Sequence, residues 1–245
     1  MSLFLWILIF SFLGSVFCLI GGLLLIWKTE WAKKIALYLI SFAAGALIGA
    51  AFLHLLPEAV EEGGAGVFIY TLVGLLVMFL VEKMLLWYHC HDGECRVHTF
   101  SYTILFGDVI HNFIDGIVIG VSFLVSIPLG ITTALAVAFH EIPQEIGDFA
   151  VMLHGGIKKT KVLFYNLGAA LMTILAAVLT YVFASSLQKL IIPLIAFAAG
   201  NFIYIAASDL IPEIHKETKK SKAILQFFIL ITGILTIWGA EKILG

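Results

Sequence analysis

Apolar runs long enough to cross a bilayer follow one another along this 245-residue sequence, and that constrains the fold more than any single motif in it. A helix needs about 20 apolar residues to span the hydrocarbon core, where each backbone polar group must be satisfied within its own segment. Such runs lie at about 4–27, 35–56, 66–87, 100–123, 128–152, 162–185, 190–211 and 223–241. They predict an all-α integral membrane protein of eight transmembrane helices joined by short connectors, one transmembrane domain over 1–245. Only 12% of the residues are charged, against about 25% in a soluble domain, which leaves no segment for one. The first run has no positively charged start and exceeds a signal-peptide core, so it is read as a retained helix. The bilayer is the surrounding partner; nucleic acid is not expected as one.

Orientation follows from the 14 Lys and Arg residues. Twelve of them, Lys28, Lys33, Lys34, Lys83, Arg96, Lys158, Lys159, Lys161, Lys216, Lys219, Lys220 and Lys222, fall in or beside the loops after predicted helices 1, 3, 5 and 7. Lys189 and Lys242 remain for the other side, whose first loop carries Glu58, Glu61 and Glu62. Both termini are therefore expected outside or in the periplasm, with the protein in a plasma or inner membrane. Trp27, Trp31, Trp87, Tyr88, Tyr165 and Trp238 lie near predicted helix ends, where aromatic belts form.

Within these runs sit two polar clusters, His111-Asn112-Phe113-Ile114-Asp115-Gly116 and His140-Glu141-Ile142-Pro143-Gln144-Glu145. Ionisable groups inside a membrane span are costly and mark a functional site by default. On a helix His111 and Asp115 face the same way, with Asp108 one turn earlier. His140, Glu141, Gln144, Glu145 and Asp148 fall within an arc of about 140° at 100° per residue. Counted from a turn near residue 127, Asp115 and His140 both lie roughly 18 Å deep at 1.5 Å per residue, near mid-membrane. Imidazoles and carboxylates meeting there, with no catalytic serine pattern, point to a divalent metal. No organic cofactor is implied. Pro143 withholds a donor from the Phe139 carbonyl and is expected to open the helix beside the acids. Gly116 with Gly120, and Gly45 with Gly49, form small-xxx-small pairs that allow close helix packing.

Residues 42–58 (FAAGALIGAAFLHLLPE) and 197–213 (FAAGNFIYIAASDLIPE) share nine identities in 17 ungapped positions. They lie on predicted helices 2 and 7, five helices apart, and so cross in opposite directions. We read helices 1–3 and 6–8 as an inverted repeat around a central hairpin of helices 4 and 5, an arrangement suited to alternating access. His54 and Asp209 are equivalent in the two copies. His54 and Glu58 are expected toward the outside, and Asp209, Glu213 and His215 toward the cytoplasm, as the two mouths of one path. Asp108 and Asp148, about a turn from the centre, are further pathway candidates.

A connector over 88–99 holds His89, Cys90, His91, Cys95 and His98, candidate soft ligands on a reducing cytoplasmic side rather than a disulfide. Cys18, alone in helix 1, reads as a small apolar filler.

The paired motifs HNFIDG and HEIPQEIGDF, on a fourth and fifth of eight spans, with a His/Cys loop between spans three and four, resemble the ZIP family of zinc and iron transporters. The resemblance covers essentially the whole chain and is closest to members whose fifth helix reads His-Glu-x-Pro-His-Glu; this sequence has Gln144 where those have His. It implies uptake of divalent metal, zinc foremost, toward the cytoplasm through a site on helices 4 and 5 that holds one or two ions. His111, Asn112 and Asp115 match the first motif, and His140, Glu141 and Glu145 the second. Fe2+, Mn2+, Co2+ and Cd2+ also suit mixed His and carboxylate ligands. A homodimer is compatible with such a chain. The competing class is an intramembrane zinc hydrolase or protease built on His-Glu-x-x-His, but its second His would be residue 144, which is Gln.

The charge asymmetry sets a direct test. A cysteine placed in the 158–161 loop is expected to be protected from an impermeant thiol reagent applied outside, and one placed at residue 64 to be labelled; the reverse pattern overturns the orientation.

Overall fold

The computed structural model describes residues 1–87 and 97–244 and, within them, every side chain except those of 33, 85–87, 97–104 and 241. Every regular element among the described residues is helical: α1 (Leu3–Leu13), α2 (Ile20–Trp27), α3 (Thr29–Ala50), α4 (Leu56–Gly63), α5 (Phe68–Trp87), α6 (Val97–Val125), α7 (Ile127–His154), α8 (Lys159–Val182), α9 (Ala184–Leu187), α10 (Ile191–Tyr204), α11 (Ile211–His215) and α12 (Lys220–Leu244). Among the described residues, seven stretches are long and apolar enough to cross a membrane: Leu3–Trp27, Thr29–Gly63, Ala65–Met84, Leu105–Val125, Lys159–Val182, Ala184–His215 and Lys220–Leu244. α7 has the length, 28 residues. It is less apolar because it carries His140, Glu141, Gln144, Glu145 and Asp148 in its second half.

The interior is built of small residues. Ala43, Ala44, Ala46, Ala136, Ala176, Ala198 and Ala199 are all fully buried, whereas Phe52, Phe68, Phe106, Phe164, Phe227 and Phe228 are exposed. Lipid is as apolar as leucine, so helices in it associate by close van der Waals contact that small residues permit. The glycines mark the tightest crossings. A Cβ on Gly116 would lie well inside 3.0 Å of the Thr173 carbonyl oxygen, and one on Gly120 would meet the Thr180 side chain, so α6 and α8 touch backbone to backbone at Gly116 and backbone to side chain at Gly120. Gly21 and Gly22 similarly bring α2 against Ile142 and Phe149 of α7.

The first span is not one helix. Between α1 and α2, Gly14 and Ser15 lead into a 3-10 turn over Val16–Leu19. There Ser15 Oγ donates to the Ser11 carbonyl at 2.6 Å, and Cys18 Sγ lies 3.6 Å from the Ala138 carbonyl of α7. The second span carries a π-helical turn, Ala51–Leu55, just before Pro57. α10 runs into another, Ile205–Leu210, just before Pro212. Proline cannot donate to the carbonyl four residues back and its ring crowds that carbonyl, and a wider turn makes room for it. The two π turns fall at equivalent places in the 42–58 and 197–213 copies.

The packing of those copies recurs as well. A Cβ on Gly45 would collide with the Leu230 carbonyl, and one on Gly200 with the Thr71 carbonyl. Conversely, a Cβ on Gly233 would collide with the Phe42 carbonyl, and one on Gly74 with the Phe197 carbonyl. Positions 45 and 200, like 42 and 197, are 155 apart, while 71 and 230, like 74 and 233, are 159 apart. α3 against α12 is therefore the same contact as α10 against α5. The correspondence reaches the sequence of α5 and α12, where Gly74, Leu76, Glu82 and Lys83 match Gly233, Leu235, Glu241 and Lys242.

α7 departs from expectation in one respect. It continues unbroken from Ile127 to His154, with Pro143 inside it, so Pro143 does not open the helix into two pieces. Its start is well defined: Ser126 caps it by accepting from the Leu129 amide at 3.2 Å, with Pro128 in the first turn.

Gly200→Ala is expected to destabilise the detergent-solubilised protein by about 1–3 kcal/mol, the usual cost of overpacking. Gly168→Ala, where a Cβ meets nothing within 4 Å, is expected to be neutral or stabilising by up to about 1 kcal/mol. Thermal melting of the two variants checks this; equal melting temperatures would refute the close approach at Gly200.

Candidate metal centre

α6 and α7 place the two polar clusters side by side. His111 and Asp115 are one turn apart on α6, while His140 and Glu141 are neighbours on α7. All four are buried, at 8%, 2%, 1% and 1% exposed. Their ligand atoms lie within 4.8 Å of one another. The two Nε2 atoms of His111 and His140 are 3.1 Å apart, with ring planes at 88°. Asp115 Oδ2 is 3.2 Å from His140 Nε2 and 3.7 Å from His111 Nε2. Glu141 Oε1 is 3.3 Å from His111 Nε2 and 3.7 Å from His140 Nε2.

These separations describe a cage of a particular size. A tetrahedral ion with bonds of about 2.0–2.1 Å to nitrogen and oxygen sets its ligands roughly 3.3 Å apart. Five of the six edges, 3.1 to 3.7 Å, straddle that value, and the sixth, between the two carboxylates, lies within 4.8 Å. Asp115 Oδ2 and Glu141 Oε1 are buried and face only the two imidazole nitrogens. Two buried carboxylates are costly unless compensated, and a divalent cation supplies the matching charge. On His140 the second ring nitrogen, Nδ1, lies 3.1 Å from the Ala136 carbonyl. A proton on Nδ1 donates there and leaves the Nε2 lone pair facing the cage, the usual way a protein orients a metal-binding imidazole.

The other residues of the two motifs are held elsewhere. Asn112 is fully buried. Its Nδ2 donates to Asp108 Oδ1 at 2.8 Å and its Oδ1 accepts from Thr173 Oγ1 of α8 at 2.7 Å. Gln144 Nε2 also points to Asp108 Oδ1, at 3.3 Å. Glu145 is buried with Oε2 unpartnered, and Asp108 keeps Oδ2 unpartnered. Asp108 is therefore the node of a chain, Thr173 to Asn112 to Asp108 to Gln144, that ties α8, α6 and α7 together beside the cage. Asp148 is half-buried one turn further along α7.

The pathway candidates lie apart from the cage. His54 is buried in the π turn of the second span, and Glu58 is half-buried in α4. Asp209 is exposed in the other π turn, Glu213 accepts from Lys216, and His215 is exposed at the end of α11. His89, Cys90, His91, Cys95 and the His98 side chain fall outside the described residues. Two groups were missed at the level of sequence. Thr173 is a lone Thr in an apolar run, with nothing to distinguish it from packing. Glu82 could have been found: it is a carboxylate within an apolar run, and it accepts from the Tyr204 hydroxyl of α10.

The family model described as ZIP zinc transporter matches residues 88–240, which takes in both polar clusters. The chain belongs to the ZIP family. It is 32% identical over 215 residues to zinc transporter ZIP13 of Pongo abelii, covering 81% of this chain and 65% of that protein. It is 36% identical over 146 residues to zinc transporter foi of Drosophila melanogaster, covering 60% of this chain and 20% of that one. Against zinc transporter ZIP10 of Homo sapiens it is 35% identical over 128 residues, 51% of this chain and 15% of the relative. The chain thus spans about two thirds of the ZIP13 relative and a fifth or less of the other two. ZIP proteins are transporters of the membrane and not enzymes, which removes the intramembrane hydrolase as a reading of His140 and Glu141.

His111→Ala, Asp115→Ala, His140→Ala and Glu141→Ala are each expected to weaken zinc binding by more than the roughly 10–100-fold typical of losing an outer hydrogen-bond partner. Thr173→Val leaves all four ligand atoms in place but orphans Asn112 Oδ1, so it is expected to cost about 1–3 kcal/mol of stability with a smaller effect on binding. Calorimetric titration and thermal melting of the purified variants separate the two effects; wild-type zinc affinity in His111→Ala and Asp115→Ala would exclude the cage.

Proposed function

We propose that this chain carries divalent metal, zinc foremost, across a membrane toward the cytoplasm, through the cage formed by His111, Asp115, His140 and Glu141. The observation that carries the proposal is the size and charge of that cage: four converging donors at tetrahedral spacing, two of them carboxylates, buried at mid-helix. The relatives from Pongo abelii, Drosophila melanogaster and Homo sapiens are named as zinc transporters, which supports zinc as the substrate. Iron, manganese, cobalt and cadmium remain chemically admissible, because cavity and ligand type rather than affinity order set selectivity.

In this reading α7 is an eighth span. Its 28 residues would cover about 42 Å at 1.5 Å per residue, and its polar second half faces α6 rather than lipid. The recurrence of the α3–α12 contact as α10–α5 supports an inverted repeat, with α6 and α7 as the hairpin between the halves and both termini outside. His54 with Glu58 then marks the outer mouth, and Asp209 with Glu213 and His215 the inner one. His54 is buried and Asp209 exposed at equivalent positions, which fits a state closed outside and open inside. Asp108, Asp148 and Glu145 line the way between cage and inner mouth, with Asn112 and Gln144 positioned by Asp108. A cargo ion displaces protons from its ligands on entry, so binding is expected to weaken as pH falls.

Gln144 offers the sharpest test of the path. It follows His140 by one turn and brings no charge. Gln144→His adds an imidazole at that position and is expected to lower the half-saturation for zinc more than that for manganese, and to lower the maximal zinc rate through slower release. Side-by-side uptake of both metals into proteoliposomes, for wild type, Gln144→His and Asp115→Ala, checks it. Saturable zinc uptake lost in Asp115→Ala supports the proposal. Undiminished uptake in Asp115→Ala, or an unchanged zinc-to-manganese ratio in Gln144→His, would place the path elsewhere.

A further inference from the structure

Where the end of α2, the last turn of α7 and the first turn of α8 meet, the molecule has an open cavity of about 320 Å3, a volume in the range of small-molecule sites. Its inner wall is apolar, made by Leu25 and Ile26 of α2 and by Ala150 and Leu153 of α7. Its rim is polar: Thr29, His154 and Lys159. The order matters, because the apolar wall belongs to the membrane-facing turns and the rim to the helix ends. The wall is continuous with a packed cluster of Leu25, Ile146, Phe149, Met152 and Val162, against which Ile26, Ala150 and Leu153 also pack, so the cavity is a feature of a well-supported corner and not of a loose one.

The rim concentrates positive charge. Lys28 and Lys158 flank Thr29 and Lys159 in sequence, Lys161 follows one turn into α8, and all are exposed. Among the described residues none of these lysines has a carboxylate within 4.0 Å. The first turn of α8 contains no acid and Lys158 makes no side-chain cap, so cations stand at the positive end of the helix dipole, where an anion is favoured instead. Trp27 at the end of α2 and Trp31 in the first turn of α3 are both exposed and are the residue type that settles at the headgroup level.

We propose that this cavity binds an anionic phospholipid, with the headgroup phosphate held by Lys159, Lys158 and His154 and one acyl chain lying on Leu25, Ile26, Ala150 and Leu153. Basic pockets between helix ends suit such headgroups, and only a molecule with a phosphate joined to a hydrocarbon chain meets both surfaces at once. Because α7 also carries His140 and Glu141, a lipid here clamps the metal-bearing helix to α2 and α8. The proposal rests on the ends of α2 and α7 lying at a membrane surface and not on the identity of the transported metal.

The full chain, purified and stripped of lipid, is melted with and without phosphatidylglycerol, phosphatidylcholine or inorganic phosphate, and the phosphatidylglycerol retained is counted by native mass spectrometry. Phosphatidylglycerol is expected to raise the melting temperature and to be retained, whereas phosphatidylcholine and inorganic phosphate are not. Lys158→Gln with Lys159→Gln is expected to weaken retention by roughly fivefold for each cation removed. Lys219→Gln with Lys220→Gln, at a different helix end, is expected to change nothing. Ala150→Phe fills the apolar wall without altering charge and is expected to abolish retention, which keeps the test decisive should the lysine variant fail to fold. Calorimetric zinc affinity is expected to stay at the wild-type value in every variant, so loss of the lipid site and failure of the metal reading are distinct outcomes. Equal retention of phosphatidylcholine, undiminished retention in Ala150→Phe, or a full effect from inorganic phosphate alone would overturn the proposal.

Discussion

Two carboxylates and two imidazoles packed within 4.8 Å of one another, away from water, are the constraint to which the rest of this molecule answers. Such a group is stable only if counter-charge and hydrogen bonds are supplied from close by, because the surrounding hydrocarbon supplies neither. The helices therefore have to come close enough to wall the group off and rigid enough to hold its spacing. The abundance of buried alanine and the glycines at 116, 120, 21 and 22 meet the first need. The chain from Thr173 through Asn112 and Asp108 to Gln144 meets the second, by linking three helices with directed, largely buried hydrogen bonds.

This division explains which motif residues touch the cage. Asn112 sits next to His111 in sequence but about 100° round the helix from it, and that rotation turns its amide toward α8 and Thr173. Gln144 shares the inner arc of α7 with His140, yet it meets Asp108 of α6 before it reaches the cage. Polar residues in a motif thus serve two jobs, with donors at the centre and hydrogen bonds at the margin, and residue type alone does not separate them. The interruptions in the helices fit the same picture. The 3-10 turn at Val16–Leu19 lets the first span bend along α7, and the π turns before Pro57 and Pro212 set His54 and Asp209 into wide, locally loosened turns.

Much of this was legible in the sequence, and for identifiable reasons. Helical runs were readable because the bilayer requirement acts on single segments. Placing His111, Asp115, His140 and Glu141 on facing stripes required only the 3.6-residue period and a turn at Ser126. The 42–58 and 197–213 copies showed that α3 and α10 correspond. Reading helices 1–3 and 6–8 as related halves already paired α5 with α12, but identities such as Gly74 with Gly233 are too sparse among apolar residues to fix the register, which stands out through the reciprocal backbone contacts at Gly45, Gly200, Phe42 and Phe197. Pro143 was expected to open α7, and α7 instead continues through it from Ile127 to His154, as proline-containing membrane helices can where neighbouring groups satisfy the freed carbonyl.

The sequence by itself determined that the chain enters a membrane, that its polar groups cluster on two adjacent helices, and which four side chains share a depth. Those properties follow from local periodicity and the cost of polar groups in lipid, and both act before any tertiary contact forms. Only the tertiary structure decided that the four donor atoms close to tetrahedral spacing, that Asn112 turns to Thr173, and that the ends of α2, α7 and α8 enclose a cation-rimmed cavity. Each of these depends on the rotation and separation of one helix relative to another. That relation is set by the few positions where glycine lets two backbones touch, and no pattern along a single helix encodes it.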